Sequence, residues 1–231
     1  ALPICMNFRS TDPELEMNSY GKLFNALELD INTFTKPLQK HTSTVKCIDK
    51  PMEKKELPEI DGLITDKKGI TLCTTNADCI LFMFYDPVKN VIANVHSGWR
   101  GTFQKIGEKA VNKMIEYYNC DPKDILVFIC PSIRKCHFEV DEDVKELCEE
   151  IFGFTNRTDE FIFKGDIKEG KQKYFIDTVM INKIIFRDEC GIKAKNIIDS
   201  GICSVCRKDK VHSYRAEGKD FKLATAVISL D

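Results

Sequence analysis

A mixed α and β fold in one domain spanning residues 1–231 is predicted from three observations. From Gly69 onward, short apolar runs of strand length alternate with longer segments of helical spacing. No internal repeat or low-complexity tract appears, and no stretch reads as a linker between domains. A chain of 231 residues buries a sizeable core without needing disulfides or metals to fold.

The elements follow in order. Residues 50–59, with Pro51 and Pro58 among lysines and glutamates, read as a solvated loop. Residues 70–74 read as a strand, and 80–85 form a continuous apolar run suited to a buried one. Asp86-Pro87 makes a turn into a third strand at 91–95. Phe103, Ile106, Ala110, Val111, Met114, Ile115 and Tyr118 then fall on one face of a helix. Residues 125–129 form another buried strand. Val144, Leu147, Cys148 and Ile151 mark a second helix, with Asp141 at its N-cap. Residues 179–190 form a third helix that Gly191 ends, and 196–198 and 226–230 are late strands. The pattern leaves parallel and antiparallel sheets equally open.

Composition excludes several functions. A net charge of −2, with 43% hydrophobic and 30% charged residues, suits neither a nucleic-acid binder acting through bulk basic charge nor a disordered chain. No run of about 18 apolar residues offers a membrane span. Residues 1–6 lack a basic region and a long apolar stretch, so no secretory signal is read there. The eleven cysteines are scattered, and several sit inside apolar runs, as Cys73 does after Leu72. They read as small core hydrophobes in a reducing cytoplasm. Imidazole chemistry must come from four residues, His41, His96, His137 and His212.

The most informative stretch is Ala77-Asp78-Cys79, followed by His96-Ser97-Gly98-Trp99-Arg100-Gly101. Cys79 precedes one buried strand and His96 ends the next, so adjacent strand ends bring them together. A thiol and an imidazole in contact suggest an activated nucleophile or a metal centre. A catalytic zinc takes three protein ligands, and the residues leave His41 and His137 as rival third ligands. Glycines at a strand-to-helix turn admit an anion, and Arg100 adds a cation suited to phosphate or carboxylate. Trp99, the only tryptophan, either stacks on a flat ring or packs in the core. Cys203-Ser204-Val205-Cys206 is a single CxxC without a second pair and reads as structural or incidental. Tyr214 and Arg215 stand beside the last strand, as pocket or surface groups.

At these residues the chain resembles the laccase-domain, or polyphenol oxidase, family, which includes purine nucleoside phosphorylases and a peptidoglycan editing factor. The resemblance rests on Gln39-Lys40-His41, Ala77-Asp78-Cys79, the stretch from His96 to Gly101, Pro131-Ser132-Ile133 with Cys136-His137-Phe138-Glu139-Val140, Cys203-Ser204-Val205-Cys206 and Ser213-Tyr214-Arg215. These motifs keep the family's order from about residue 35 to the end. The resemblance implies a four-layer α/β/β/α sandwich and a zinc site of His41, Cys79 and His96, leaving out His137. It also implies substrate contacts from Gln39, Ser97, Gly98, Trp99, Tyr214 and Arg215. Two departures stand out: Ile80 replaces a proline, and Gly218-Lys219-Asp220-Phe221 replaces a late Gly-Arg pair.

Four histidines are too few for a multicopper oxidase, so copper is expected only as a substitute for zinc, with a weak polyphenol oxidase activity of the copper-loaded protein as one alternative. The leading expectation is a zinc-dependent purine nucleoside enzyme. It performs phosphorolysis, with Arg100 and the turn at 98–101 holding phosphate, or adenosine deamination, with Asp78 as proton shuttle. One alternative is a cytoplasmic hydrolase of peptidoglycan precursors with Cys79 as nucleophile. Another is a non-catalytic zinc-binding or partner-binding domain. The expected partners are small molecules, with neither nucleic acid nor membrane, and the chain is expected to be a monomer or weak homo-oligomer.

Overall fold

The layering follows from side chains that alternate along the strands. The computed structural model describes residues 7–9, 12–153 and 156–230. Residues 1–6, read above for a leader and containing Cys5, lie outside them. A six-stranded sheet runs in the order β11 (Ile197–Asp199), β7 (Leu126–Ile129), β5 (Ile80–Asp86), β6 (Val91–Ser97), β3 (Gly62–Thr65) and β2 (Val45–Cys47). Strand β5 is antiparallel to β6 and β7, and β3 to β6, whereas β2–β3 and β7–β11 are parallel. The sheet is therefore mixed. A second sheet places β4 (Thr71–Asn76) between β1 (Phe34–Thr35) and β12 (Ala224–Ser229).

Along β6, Val91, Ala93 and Val95 enter the largest core. They meet Ala110, Val111 and Met114 of α3 (Ile106–Tyr118) and Ile181 of α5 (Thr178–Ile184). The alternate residues face the second sheet, because successive side chains of a strand point to opposite faces. Ile92 joins Leu63 and Leu72 there. The buried Asn94 amide donates to the carbonyls of Leu72 and Ala226, both at 3.0 Å, tying sheet to sheet. On the far side of the second sheet, Cys73 and Val227 pack against Tyr20 and Phe24 of α1 (Pro13–Ala26). The order is thus helix, sheet, sheet, helix, the four-layer arrangement that the resemblance implied.

The structure adjusts several elements. The helix expected through 103–118 is two helices, α2 (Trp99–Phe103) and α3, separated where Lys105 takes a left-handed φ of 55°. The helix expected at 179–190 is α5 continued by a π turn at Ile185–Glu189, and Gly191 then reverses with φ 78°. Asp141 occupies the N-cap of α4 (Glu142–Phe152) but caps nothing with its side chain, which pairs with Lys173 instead. The loop at 50–59 is not wholly solvated: Leu57 is fully buried and Pro58 bridges to Leu38. A third sheet, β8 (Glu139–Val140), β10 (Lys171–Ile176) and β9 (Ile162–Lys168), went unread. Its hairpin is charged and half-exposed, so it carries little hydrophobic signal. Among the described residues no helix is long and apolar enough to cross a membrane, and every cysteine is an unbridged thiol.

Candidate functional site

The site forms where β4 and β6 meet at the edge of the space between the two sheets. Register sets its first contact. Ile80 pairs with Ser97, so Cys79, one residue before β5, stands beside Gly98, one residue after β6. His96 lies on the inter-sheet face of β6, in phase with Ile92 and Asn94. His41 arrives from the loop after the Leu38–Pro58 bridge and holds a left-handed φ of 58°.

One buried carboxylate organises both histidines. Asp61 accepts backbone N–H bonds from Lys40 at 3.2 Å, His41 at 3.1 Å and Thr42 at 2.8 Å. Successive N–H groups converging on an anion form a nest, which favours the left-handed backbone at its centre. Thr42 Oγ1 donates a further bond of 2.8 Å. Asp61 Oδ1 also lies 2.8 Å from His96 Nδ1, which fixes that nitrogen as the donor and turns Nε2 toward Cys79.

The electrostatics follow from this packing. Burial opposes ionisation of Cys79, but the His96 and His41 imidazoles outweigh it and lower its pKa to about 6. Burial likewise opposes a charged His96, and the facing Cys79 and Asp61 raise it to about 9. Asp61 falls to about 2, because its bonds from His96 and Thr42 outweigh desolvation. The centre favours a thiolate held between imidazoles.

His41 Nε2 lies 3.7 Å from Cys79 Sγ, and the two imidazole rings stand edge to face with centroids 4.9 Å apart. The donor atoms of His41, Cys79 and His96 all fall within 4.8 Å of one another. Zinc bonds of about 2.3 Å to sulfur and 2.0 Å to nitrogen set tetrahedral S···N edges of about 3.6 Å, so the observed spacing fits such an ion. Gly98 makes room for the cluster: a Cβ there would lie 2.8 Å from His41 Cδ2 and 3.3 Å from Cys79 Sγ. One sulfur and two nitrogens suit zinc or copper, and three protein ligands leave an open position.

The cluster lines a cavity of about 590 Å³. Of the residues expected from sequence, Gln39, His41, Asp78, Cys79, His96, Ser97, Trp99, Tyr214 and Arg215 all line it. Their polar groups are differently employed. The Gln39 amide pairs with the backbone of Thr75, its Nε2 donating at 2.8 Å and its Oε1 accepting at 2.8 Å, and so fastens the His41 segment to β4. Ser97 Oγ lies 2.9 Å from Thr102 Oγ1, in the last turn of α2. Asp78, with a left-handed φ of 87°, accepts from Ser204 Oγ at 2.6 Å and from the Arg215 N–H at 2.7 Å. Each carboxylate oxygen thus accepts one bond, which fixes the side chain beside Cys79. Trp99 packs edge-on against Phe103 at 5.4 Å and also lines the cavity.

Arg100 does not meet its expectation. Its guanidinium sits 4.3 Å from the Trp99 ring centroid, its side chain is exposed, and it is absent from the cavity wall. Among the described residues, the arginines on the wall are Arg215 and Arg9. His137, the rival ligand, lies instead with Cys136, Cys203 and Cys206. Sequence reasoning missed Asp61, Arg9, Phe138 and Phe221. Asp61 left one trace, a carboxylate immediately before the apolar run Gly62-Leu63-Ile64.

Residues 6–230 match the family described as multi-copper polyphenol oxidoreductase laccase. A Mus musculus protein named purine nucleoside phosphorylase LACC1 is 28% identical over 100% of this chain and 51% of its own length. A protein named adenosine deaminase RL5, from an unknown prokaryotic organism, is 27% identical over 83% of this chain and 73% of its own. The chain spans about half the length of the mammalian relatives it matches. The crystal structure of the Bacillus licheniformis hypothetical protein YfiH superposes with a TM-score of 0.86 at 24% identity, covering 98% of this chain and 86% of that one.

Proposed function

Because the chain belongs to the multi-copper polyphenol oxidoreductase laccase family, within which relatives bear purine nucleoside names, we propose that it is a purine nucleoside phosphorylase, with adenosine deamination as a second reaction at the same centre. The observation that carries this reading is the cluster of His41, Cys79 and His96 in the wall of a cavity that Trp99, Phe138, Tyr214 and Phe221 also line. Flat aromatic walls suit a purine, and the cavity volume of about 590 Å³ falls in the range of small-molecule sites.

A zinc ion on His41, Cys79 and His96 would supply Lewis-acid polarisation and a water of lowered pKa, and copper is a substitute at the same donors. Four histidines do not furnish a four-copper oxidase. In phosphorolysis, phosphate attacks the sugar carbon while the bond to the base breaks, so positive charge grows on the sugar and negative charge on the purine. Arg215 and Arg9 take the phosphate-holding role in this reading. Each guanidinium has five donors, and the bonds from Arg215 to the carbonyls of His137 and Glu139 leave others for an oxyanion. Asp78 orients Arg215 by accepting its backbone N–H. Asp61 holds His96 in one tautomer and His41 in its loop.

The test is chromatography of zinc-assayed protein incubated with adenosine and inosine, with and without phosphate. Phosphate-dependent release of adenine or hypoxanthine is expected, with some inosine formed from adenosine without phosphate. Arg215→Ala should weaken phosphate use far more than deamination. Absence of both products from protein with metal bound at His41, Cys79 and His96 would overturn the reading.

A further inference from the structure

A second group of metal-ligating side chains lies apart from His41, Cys79 and His96. After β7 the chain turns at residues 134–137, where the N–H groups of His137 and Phe138 both donate to the Arg134 carbonyl at 2.9 Å. This turn presents Cys136 and His137 side by side. The loop after β11 presents Cys203 and Cys206, the Cys-x-x-Cys pair read from sequence as incidental. The two segments are laced together: Ser132 N donates to Ile202 O at 3.2 Å and Ser204 N to Ser132 O at 3.0 Å.

The side chains converge. Cys136 Sγ lies 3.6 Å from Cys203 Sγ and 3.8 Å from Cys206 Sγ. His137 Nδ1 lies 3.2 Å from Cys136 Sγ, 3.6 Å from Cys203 Sγ and 3.5 Å from Cys206 Sγ. All four donor atoms fall within 4.8 Å of one another. A disulfide would need about 2.05 Å, so none of these pairs is one. Thiol and imidazole hydrogen bonds join the same atoms, but thiols are weak donors and acceptors, whereas one shared cation would engage all four donor atoms at once. A tetrahedral ion with bonds of about 2.3 Å to sulfur and 2.0 Å to nitrogen requires S···S edges of about 3.8 Å and S···N edges of about 3.6 Å. Four of the edges, at 3.5–3.8 Å, lie close to those values, and the edge between the adjacent Cys136 and His137 is shorter at 3.2 Å.

We propose that Cys136, His137, Cys203 and Cys206 bind a second zinc ion, in a closed four-ligand structural site. Four protein ligands leave no open position, which distinguishes it in kind from the three-ligand centre. Its place in the fold gives it a task. Phe138, next to His137, lines the cavity, and the His137 carbonyl accepts from Arg215 Nη1 at 2.9 Å. Ser204, inside the Cys-x-x-Cys turn, donates to Asp78, the neighbour of Cys79. The ion would thus staple two loops that frame the cavity. Two of the ligands, Cys136 and Cys206, are exposed, so the metal has an entry path from solvent.

The experiment counts metal and needs no substrate, so it stands or falls separately from the nucleoside reading. Protein purified under reducing conditions and dialysed with zinc is assayed by elemental mass spectrometry. Wild type is expected to hold two zinc ions per chain. The variant His41→Ala/Cys79→Ser should hold one, and its X-ray absorption should report three sulfurs and one nitrogen around it. Cys136→Ser/Cys206→Ser should lose that ion and keep the other. If this second variant does not fold, the absorption spectrum of the first decides alone. A His41→Ala/Cys79→Ser protein that is folded by circular dichroism yet zinc-free, or whose zinc lacks three sulfur ligands, would overturn the proposal.

Discussion

Gly98→Ala tests the three-ligand centre with one methyl group. The backbone accepts alanine, because Gly98 has φ −66° and ψ 175°, an extended conformation open to any L-residue. The effect is therefore confined to what the methyl meets. It would lie 2.8 Å from His41 Cδ2, where ordinary contact begins at 3.4 Å, so the ring must retreat by about 0.6 Å. Metal–nitrogen distances tolerate only about 0.2 Å. His41 then falls out of bonding range, while its loop stays anchored through Asp61. Disturbing even a residue that merely supports a ligand costs about 10–100-fold in metal affinity. Gly98→Ala should lose at least that, which is at least about 1.4–2.8 kcal/mol. The assay is a competition titration against a chromophoric chelator, with thermal unfolding of the chelated protein as the control for folding. Gly101→Ala is the companion variant: its Cβ would meet neighbours at 3.4–3.5 Å, which is ordinary contact, and affinity should hold. Retention of wild-type affinity by Gly98→Ala would refute the assignment of His41 as a ligand.

Asp61→Asn should weaken metal binding at least tenfold, because its amide must turn an N–H toward either the His96 donor or the backbone donors of residues 40–42; the same chelator titration reads it. The Asp61 pKa, lowered from 3.8 to about 2, contributes about 2 kcal/mol of stability in metal-free protein. That stability is fully present above the ordinary value and is lost as pH falls through about 2, so acid titration of Asp61→Asn should lack this component. In chelated protein, Cys79 should alkylate with a midpoint near pH 6, whereas Cys130 and Cys148, pushed up to about 12 by burial, stay inert at neutral pH; peptide mapping after iodoacetamide reads both. Gly21→Ala, in the interior of α1 with nothing within 4 Å of the new Cβ, should raise stability by about 0.5–1 kcal/mol in denaturant titration.

The parts of the fold legible in sequence were those whose burial leaves a period. Strands β5 and β6 are apolar on one or both faces, β4 is a fully buried run rich in β-branched threonine, and α3 and α4 carry one-sided apolar stripes, so each was placed within a few residues. Helix α1 buries only Tyr20 and Phe24 and presents mostly polar residues, so it was silent. The hairpin of β9 and β10 was silent because its charged side chains stand half in water. At the site, Cys79 and His96 were legible through residue type and strand placement, whereas His41 came only with the family resemblance, the residues themselves leaving His137 as its rival. Asp61 was not, because a carboxylate acquires its role only when the backbone of a distant loop folds around it. Arg100 was misplaced for the converse reason: the turn does lead into a helix, but the guanidinium lies over the Trp99 ring and off the cavity wall.

Two non-glycine residues beside or within the three-ligand centre, His41 and Asp78, hold left-handed backbones with φ 58° and 87°. Such positions cost of order 1 kcal/mol each and persist only where the surroundings over-determine them. Both are held by carboxylate hydrogen bonds. The Asp61 nest grips the backbone on either side of His41, and the Asp78 carboxylate reaches across to Ser204 and Arg215. The second bond set links the Cys79 turn to the loop that carries Cys203 and Cys206, so strain at the centre is carried by contacts outside it. Ligand geometry therefore depends on two loops distant in sequence, and a change in either reaches the thiolate through a defined hydrogen bond. This explains why a thiol and two imidazoles remain in register although only His96 lies within a regular strand.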